Sequence, residues 1–216
     1  MQVAGEPNTT TEELLKKLKR FRPYFKHNSG GVTFSGGEPL LHNDFLKELL
    51  PMLKRENIHV ALDTAGVGSG NTQDYEVILN NTDLVILDIK HTLAAGFNHL
   101  TSGDQAEAEK FMDVVIKLKK ALWIRQVVVP GLTDFPDYLS SLANYLKRFS
   151  TIERIDFLPY HKLGSEKYQV LERPYLYQNK PEMDLALCHQ LEKKFIRDHP
   201  KLINGLGQTQ NQEVID

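Results

Sequence analysis

One cysteine, Cys188, is all that 216 residues contain. A disulfide framework needs pairs of cysteines, and an all-thiolate metal site needs three or four. Neither can come from this chain alone. Cys188 sits in "MDLALCHQLEKKF" with Leu187, Leu191 and Phe195 at helical spacing, which reads as a buried structural thiol. Long apolar runs are also missing. None approaches the length of a membrane span, and no signal peptide is evident, so a cytoplasmic, membrane-free chain is expected. A basic block is absent too. The formal net charge is −2, and the densest cationic run, "KKLKR" at 16–20, reads as the solvated face of a helix. Nucleic acid is not an expected partner. No GxGxxG or GxxxxGK[ST] follows any strand-like run, which removes the two common nucleotide fingerprints.

What the chain does have is alternation. Five β-rich apolar runs recur: "GVTFS" (31–35), "HVALDT" (59–64), "LVILDIK" (84–90), "LWIRQVVV" (122–129) and "RIDFLPYH" (154–161). Helical stretches lie between them at 42–57, 71–81, 102–121 and 134–149, with Asn43, Asn71 and Asp134 as candidate caps. One more helix is expected before the first strand, from Thr10 to about Phe25, and one after the last, from about Pro181 to His199. Strands alternating with helices at this period predict parallel βαβ units. Five strands are too few for a closed eight-stranded barrel, so a doubly wound sheet and an incomplete barrel both fit. A body at 1–198 and a polar tail at 199–216 are expected.

Polar residues collect near the ends of these runs. The first leads into Gly36-Gly37-Glu38, and the second ends in Asp63-Thr64. The third carries Asp88 and Lys90, the fourth Arg125, and the fifth ends at Tyr160-His161. Side chains alternate along a strand, so Asp88 shares a face with Lys90, and Arg125 with Val127. Ligands of parallel α/β folds bind at the C-terminal edge of the sheet. Carboxylates inside apolar strands need a cation, donors or water. Any one of these groups could be structural, Asp88–Lys90 as an ion pair and His161 as a loop cap. Together they describe a pocket for a zwitterionic amino-acid group. Glycine backbone and Glu38 would meet the ammonium, Lys90 and Arg125 the carboxylate, and two acids could share a metal cation. Glu38 either fixes the amine or holds the loop.

These residues resemble a known family. "SGGEPLL" is similar to the GGE motif of radical S-adenosylmethionine enzymes. With "ALDTAG" (61–66), "VILDIKH" (85–91), "WIRQVVVPGLTD" (123–134) and "FLPYHKLGSEKY" (157–168), the chain resembles the pyruvate formate-lyase activating enzymes over roughly 10–198. The resemblance implies an α/β incomplete (β/α)6 barrel. Five of its βα units are present, and its first strand and cluster loop are missing. It implies that Gly36, Gly37 and Glu38 surround the methionine amine of S-adenosylmethionine. Lys90 would meet the carboxylate, with Arg125, Val127 and His161 lining the rest of the site and Asp63 beside it. Asp63, Thr64 and Asp88 would hold a monovalent cation.

It implies further that a reduced [4Fe-4S] cluster cleaves the sulfonium and that a 5′-deoxyadenosyl radical oxidises one glycine of a glycyl-radical enzyme, pyruvate formate-lyase. Flavodoxin or ferredoxin would supply the electron. Two departures stand out. Pro39 follows Glu38 where the family has alanine, and the CxxxCxxC cluster loop is not in this sequence. The expected enzyme is therefore an activase represented by an N-terminally incomplete, inactive form, with "GVTFS" as an exposed edge strand. The alternative is a cluster-free paralogue that binds S-adenosylmethionine or the glycyl-radical enzyme without catalysis.

Overall fold

The computed structural model describes residues 9–27, 30–163, 172, 177 and 179–203. The element order is α1 (Thr11–Lys19), α2 (Arg22–His27), β1 (Gly31–Phe34), a 3-10 turn (Pro39–His42), α3 (Asn43–Arg55), β2 (His59–Thr64), α4 (Thr72–Asn80) and β3 (Leu84–Ile89). It continues with α5 (Ala94–Thr101), α6 (Gln105–Lys117), β4 (Ala121–Val128), α7 (Pro136–Leu146), β5 (Ile152–Pro159) and α8 (Leu185–Asp198). The strands form one parallel sheet in the order β1-β2-β3-β4-β5. A doubly wound sheet reverses its strand order at a switch point, whereas a barrel-type sheet steps one way throughout. The strictly sequential order therefore selects the partial barrel. Among the described residues no helix is long and apolar enough to cross a membrane.

Several sequence expectations need correction. The first helix is two, because Pro23 lacks an N–H and cannot bond the carbonyl four residues back, so α1 ends at Lys19 and α2 restarts with Pro23 in its first turn. Asn43 is the first residue of α3, with His42 at the N-cap, since the 3-10 turn leads directly into the helix. Phe135 is the N-cap of α7, while the Asp134 carboxylate instead accepts the Gly131 N–H at 2.8 Å. Asn71 does cap α4, through a reciprocal capping box with Asp74. The stretch 94–101 forms α5, a helix the apolar pattern did not reveal.

The chain divides into two compact units, residues 1–87 with 103–122, and residues 88–102 with 123–216. In the first, among the described residues β1 pairs with β2 alone, in register Gly31↔His59 to Phe34↔Leu62, and β2 continues onto β3 with Asp63↔Ile86. The expected edge strand is thus at the end of the sheet order, and its residues are alternately exposed and half-buried. Leu46, Leu49, Leu50 and Leu53 of α3 are buried, and Tyr75 of α4 meets Phe111 of α6 edge-on at 5.4 Å. Asp83, just before β3, accepts from Lys54 at 2.5 Å and from the Val60 N–H at 2.8 Å. Burial raises the Asp83 pKa, but these two donors outweigh it and hold the carboxyl below its ordinary value.

In the second unit, α8 packs on β5. Phe195 lies against Phe157 at 5.2 Å, and Glu192 accepts the Phe157 N–H at 2.6 Å.

Pairing at the β1 edge is tight at one glycine. A Cβ on Gly31 would lie 2.1 Å from the His59 carbonyl oxygen, which is strand backbone and cannot swing aside. On Gly37 a Cβ would meet nothing within 4 Å. Gly31→Ala is therefore expected to cost about 1–3 kcal/mol of overpacking. In a chain of this size that lowers Tm by roughly 3–10 °C. Thermal melts of Gly31→Ala beside Gly37→Ala check it, and equal melting temperatures would contradict the close approach.

Candidate functional site

The loop after β1 is built around Glu38. Gly36 has φ +126°, a conformation open to glycine and costly for other residues, and the Ser35-Gly36-Gly37 tip is exposed. Glu38 is half-buried and turns inward. Its Oε1 accepts from the Leu40 N–H at 3.1 Å and from the Thr64 hydroxyl at 2.5 Å, and its Oε2 accepts from the Ala65 N–H at 2.9 Å. Thr64 in turn accepts the Gly66 N–H at 2.8 Å. The carboxylate at the GGE corner thus ties the β1 loop to the end of β2. Of the two roles open to Glu38, holding the loop is directly visible. The peptide groups of Gly36 and Gly37 make no hydrogen bond to another described residue, and a Cβ on either would meet nothing within 4 Å. Asp63 is half-buried beside Thr64 on β2.

The second unit carries a charge cluster. Asp88 Oδ1 accepts from Arg125 Nε at 2.7 Å, and Oδ2 accepts from Lys90 Nζ at 3.0 Å. The three side chains are 21%, 25% and 33% exposed, so the pairing is only partly screened by water. One carboxylate is thus shared by two cations. On β4, Arg125 and Val127 fall on the half-buried face, while Ile124, Gln126 and Val128 are buried. His161 is exposed, two residues beyond the end of β5. The part of the "FLPYHKLGSEKY" stretch at 164–168 lies outside the described residues.

The residues brought together are therefore Glu38 with Thr64, and Asp88 with Lys90 and Arg125. Among the described residues no cluster of three or more His, Cys, Asp or Glu could hold a metal ion. Sequence reasoning missed the acceptor role of Glu38 toward Ala65 and Leu40. It also missed Gln126, although an amide on the apolar face of a strand is a readable signal.

The cofactors of the resembled family can be tested against these residues. For S-adenosylmethionine, each unit by itself offers suitable groups: open glycine backbone for an ammonium in the first, and the Lys90 and Arg125 cations for a carboxylate in the second. An iron–sulfur cluster does not fit. The only thiol, Cys188, is buried on α8, its S–H donates to the Phe157 carbonyl at 3.6 Å, and burial pushes its pKa up to about 11. One protonated thiol cannot replace three clustered thiolates.

Comparisons with known proteins show the family. A family model described as the radical SAM superfamily matches residues 4–142. The chain is 45% identical to the pyruvate formate-lyase-activating enzyme of Clostridium pasteurianum over 88% of its own length and 79% of that protein's. It is 34% identical to the enzyme of the same name from Staphylococcus epidermidis, over 81% of this chain and 72% of that one. Its fold is like that of a domain of pyruvate-formate lyase-activating enzyme from Bacteroides vulgatus, with a TM-score of 0.62 at 23% identity, covering 79% of this chain and 95% of that domain. The relatives favour the activase over the cluster-free paralogue. A chain with this sequential sheet, this GGE corner and these relatives belongs to the radical SAM superfamily and, within it, to the pyruvate formate-lyase-activating enzymes.

Proposed function

We propose that this chain holds S-adenosylmethionine for the installation of a glycyl radical on pyruvate formate-lyase, with the function carried by residues 1–198 and 199–216 as a tail. S-adenosylmethionine, when bound, supplies the hydrogen-abstracting chemistry. No step is assigned to an iron–sulfur cluster, because the residues present do not fit one. An electron donor such as flavodoxin or ferredoxin belongs to the same proposal.

The observation that carries the reading is the Gly36-Gly37 loop. Its peptide groups have no partner among the described residues, space lies beside them, and Glu38 holds them in place. Glycine carbonyls of this kind accept from an ammonium without a side chain in the way. In the second unit, the Lys90 ammonium and Arg125 guanidinium beside Asp88 are the kind of donors that suit the methionine carboxylate. Val127 and His161 are proposed to line the same ligand. A monovalent cation at Asp63, Thr64 and Asp88 is the finest part of the proposal. Both Asp88 oxygens already accept from Lys90 and Arg125, so such a cation would have to compete with them.

Calorimetric titration with S-adenosylmethionine tests the reading. The wild-type chain is expected to bind. Lys90→Ala and Asp88→Ala should each weaken binding about tenfold or more, the usual worth of a hydrogen bond to a charged group. No binding by wild type would overturn the function, and unchanged binding in both variants would overturn the residue assignment.

A further inference from the structure

The strand that carries Arg125, β4, has a buried reverse face, and that face is polar at one position. Gln126 follows Arg125, so its side chain takes the buried face of β4 with Leu122, Ile124 and Val128. It is the one polar residue on that face and is 1% exposed. A buried amide without partners is costly. Gln126 has both. Its Oε1 accepts from the hydroxyl of Tyr138 on α7 at 2.8 Å, and its Nε2 donates to the Val127 carbonyl at 2.8 Å. The buried Thr133 hydroxyl donates to that same carbonyl at 3.0 Å and accepts the Val129 N–H at 2.7 Å. The end of β4 is therefore fixed from behind.

The second link runs through His91, the residue after Lys90. Its ring packs on Tyr138 with centroids 5.0 Å apart. It occupies a notch left by Gly96, where a Cβ would come within 2.2 Å of the imidazole. Its Nδ1 accepts the Leu93 N–H at 3.0 Å. Nearby, the Thr92 and Ser141 hydroxyls meet at 2.8 Å, joining the loop after β3 to α7 again. Tyr138 thus touches the residues next to Lys90 and next to Arg125, the two cations that share Asp88.

We propose that Gln126, Tyr138 and His91 are positioning residues. By bracing the reverse face of β4 and the loop after β3 on α7, they set the geometry of the Lys90–Asp88–Arg125 cluster and through it the affinity for S-adenosylmethionine. This rests on the binding reading above. A bland packing role is the competing explanation, and the two separate in a double variant. Gln126→Met leaves the Tyr138 hydroxyl orphaned, and Tyr138→Phe orphans the Gln126 oxygen. Gln126→Met with Tyr138→Phe removes both partners and should recover stability. It does not recover the brace.

The test measures three quantities on the whole chain: Tm, the hydrogen-exchange rate of the Arg125 Nε–H by nitrogen-15 NMR, and the Kd of S-adenosylmethionine. The Nε–H signal is assigned by its loss in Arg125→Lys. The expected result is that both single variants melt lower and the double variant returns toward wild type. In all three, Arg125 Nε–H should exchange at least fivefold faster and Kd should rise about tenfold. A double variant with both wild-type exchange and wild-type Kd would reduce the array to packing and overturn the proposal. If wild type does not bind S-adenosylmethionine, the binding reading fails. The Arg125 exchange rate still decides whether the array sets the cluster.

Discussion

Glu38→Gln should both destabilise the free protein and weaken S-adenosylmethionine binding, although it changes only one atom. The Glu38 carboxylate faces three donors, the Leu40 N–H, the Thr64 hydroxyl and the Ala65 N–H. An ionised carboxylate is acceptor-only and can take all three. A glutamine offers one accepting oxygen and one NH2. Turned so that its NH2 faces Ala65, it sets donor against donor. Turned the other way, it meets the Leu40 N–H. The Thr64 hydroxyl can rotate, but a backbone N–H cannot, so one peptide donor is left unpaired in either orientation.

The cost of such a group is about 1–3 kcal/mol. For a chain of this size that is a fall in Tm of roughly 3–10 °C. If the Gly36-Gly37 loop must then be ordered by the ligand, the same energy appears as a Kd raised about five- to hundredfold. Thr64→Val should follow it in direction, because that change also strips the Gly66 N–H of its acceptor. Melting curves without ligand, beside calorimetric titrations, check both effects. An unchanged apo Tm with a weakened Kd would mean that Glu38 acts only by touching the ligand, and would remove its loop-holding role.

The fold was legible in the sequence where one pattern dominated. β2 spans the expected residues because "HVALDT" is apolar and β-branched and ends at a polar pair. Periodicity says that strands are parallel but not which neighbours they choose, so only the family resemblance pointed to the partial barrel that the sequential order shows. α5 was hidden because "AAGFNHLT" is short, holds an internal glycine and buries one large side chain, Phe97, so it lacks a helical stripe. Asp134 has the chemistry of a cap, but its carboxylate is committed to the turn at Gly131, and tertiary context decided the helix start.

The site divided in the same way. Residue types and strand alternation brought Asp88 and Lys90 onto one face, and the structure pairs them at 3.0 Å. That Arg125 shares the same carboxylate is a relation between strands, which no single stretch of sequence contains. Glu38 shows the limit most clearly. Its position beside two glycines suggested a ligand contact or a loop anchor with equal force. Only the distances to Thr64 and Ala65, 26 and 27 residues away, show the anchor.

Anaerobic reconstitution with iron and sulfide should leave this 216-residue polypeptide with far less than one [4Fe-4S] cluster per chain. A cluster of the family's kind needs several thiolates close together. Here the one thiol is Cys188, in the first turn of α8 and buried. Its pKa is pushed up to about 11, and its S–H donates to the Phe157 carbonyl at 3.6 Å. Releasing it to iron would mean unfolding the α8–β5 contact, including the Phe157–Phe195 pair. The measurement is iron and sulfide per chain with the electron paramagnetic resonance spectrum after reduction, and Cys188→Ser as the control. Equal low iron in both proteins, with no axial signal, is expected. A stoichiometric cluster lost in Cys188→Ser would show that α8 opens to ligate iron, and would overturn the assignment of Cys188 to the core. The S-adenosylmethionine titrations do not depend on this outcome, because the residues they test lie on or beside β2, β3, β4, α7 and the GGE loop and not on α8. Any cluster that works with this chain must take its thiolates from residues outside these 216.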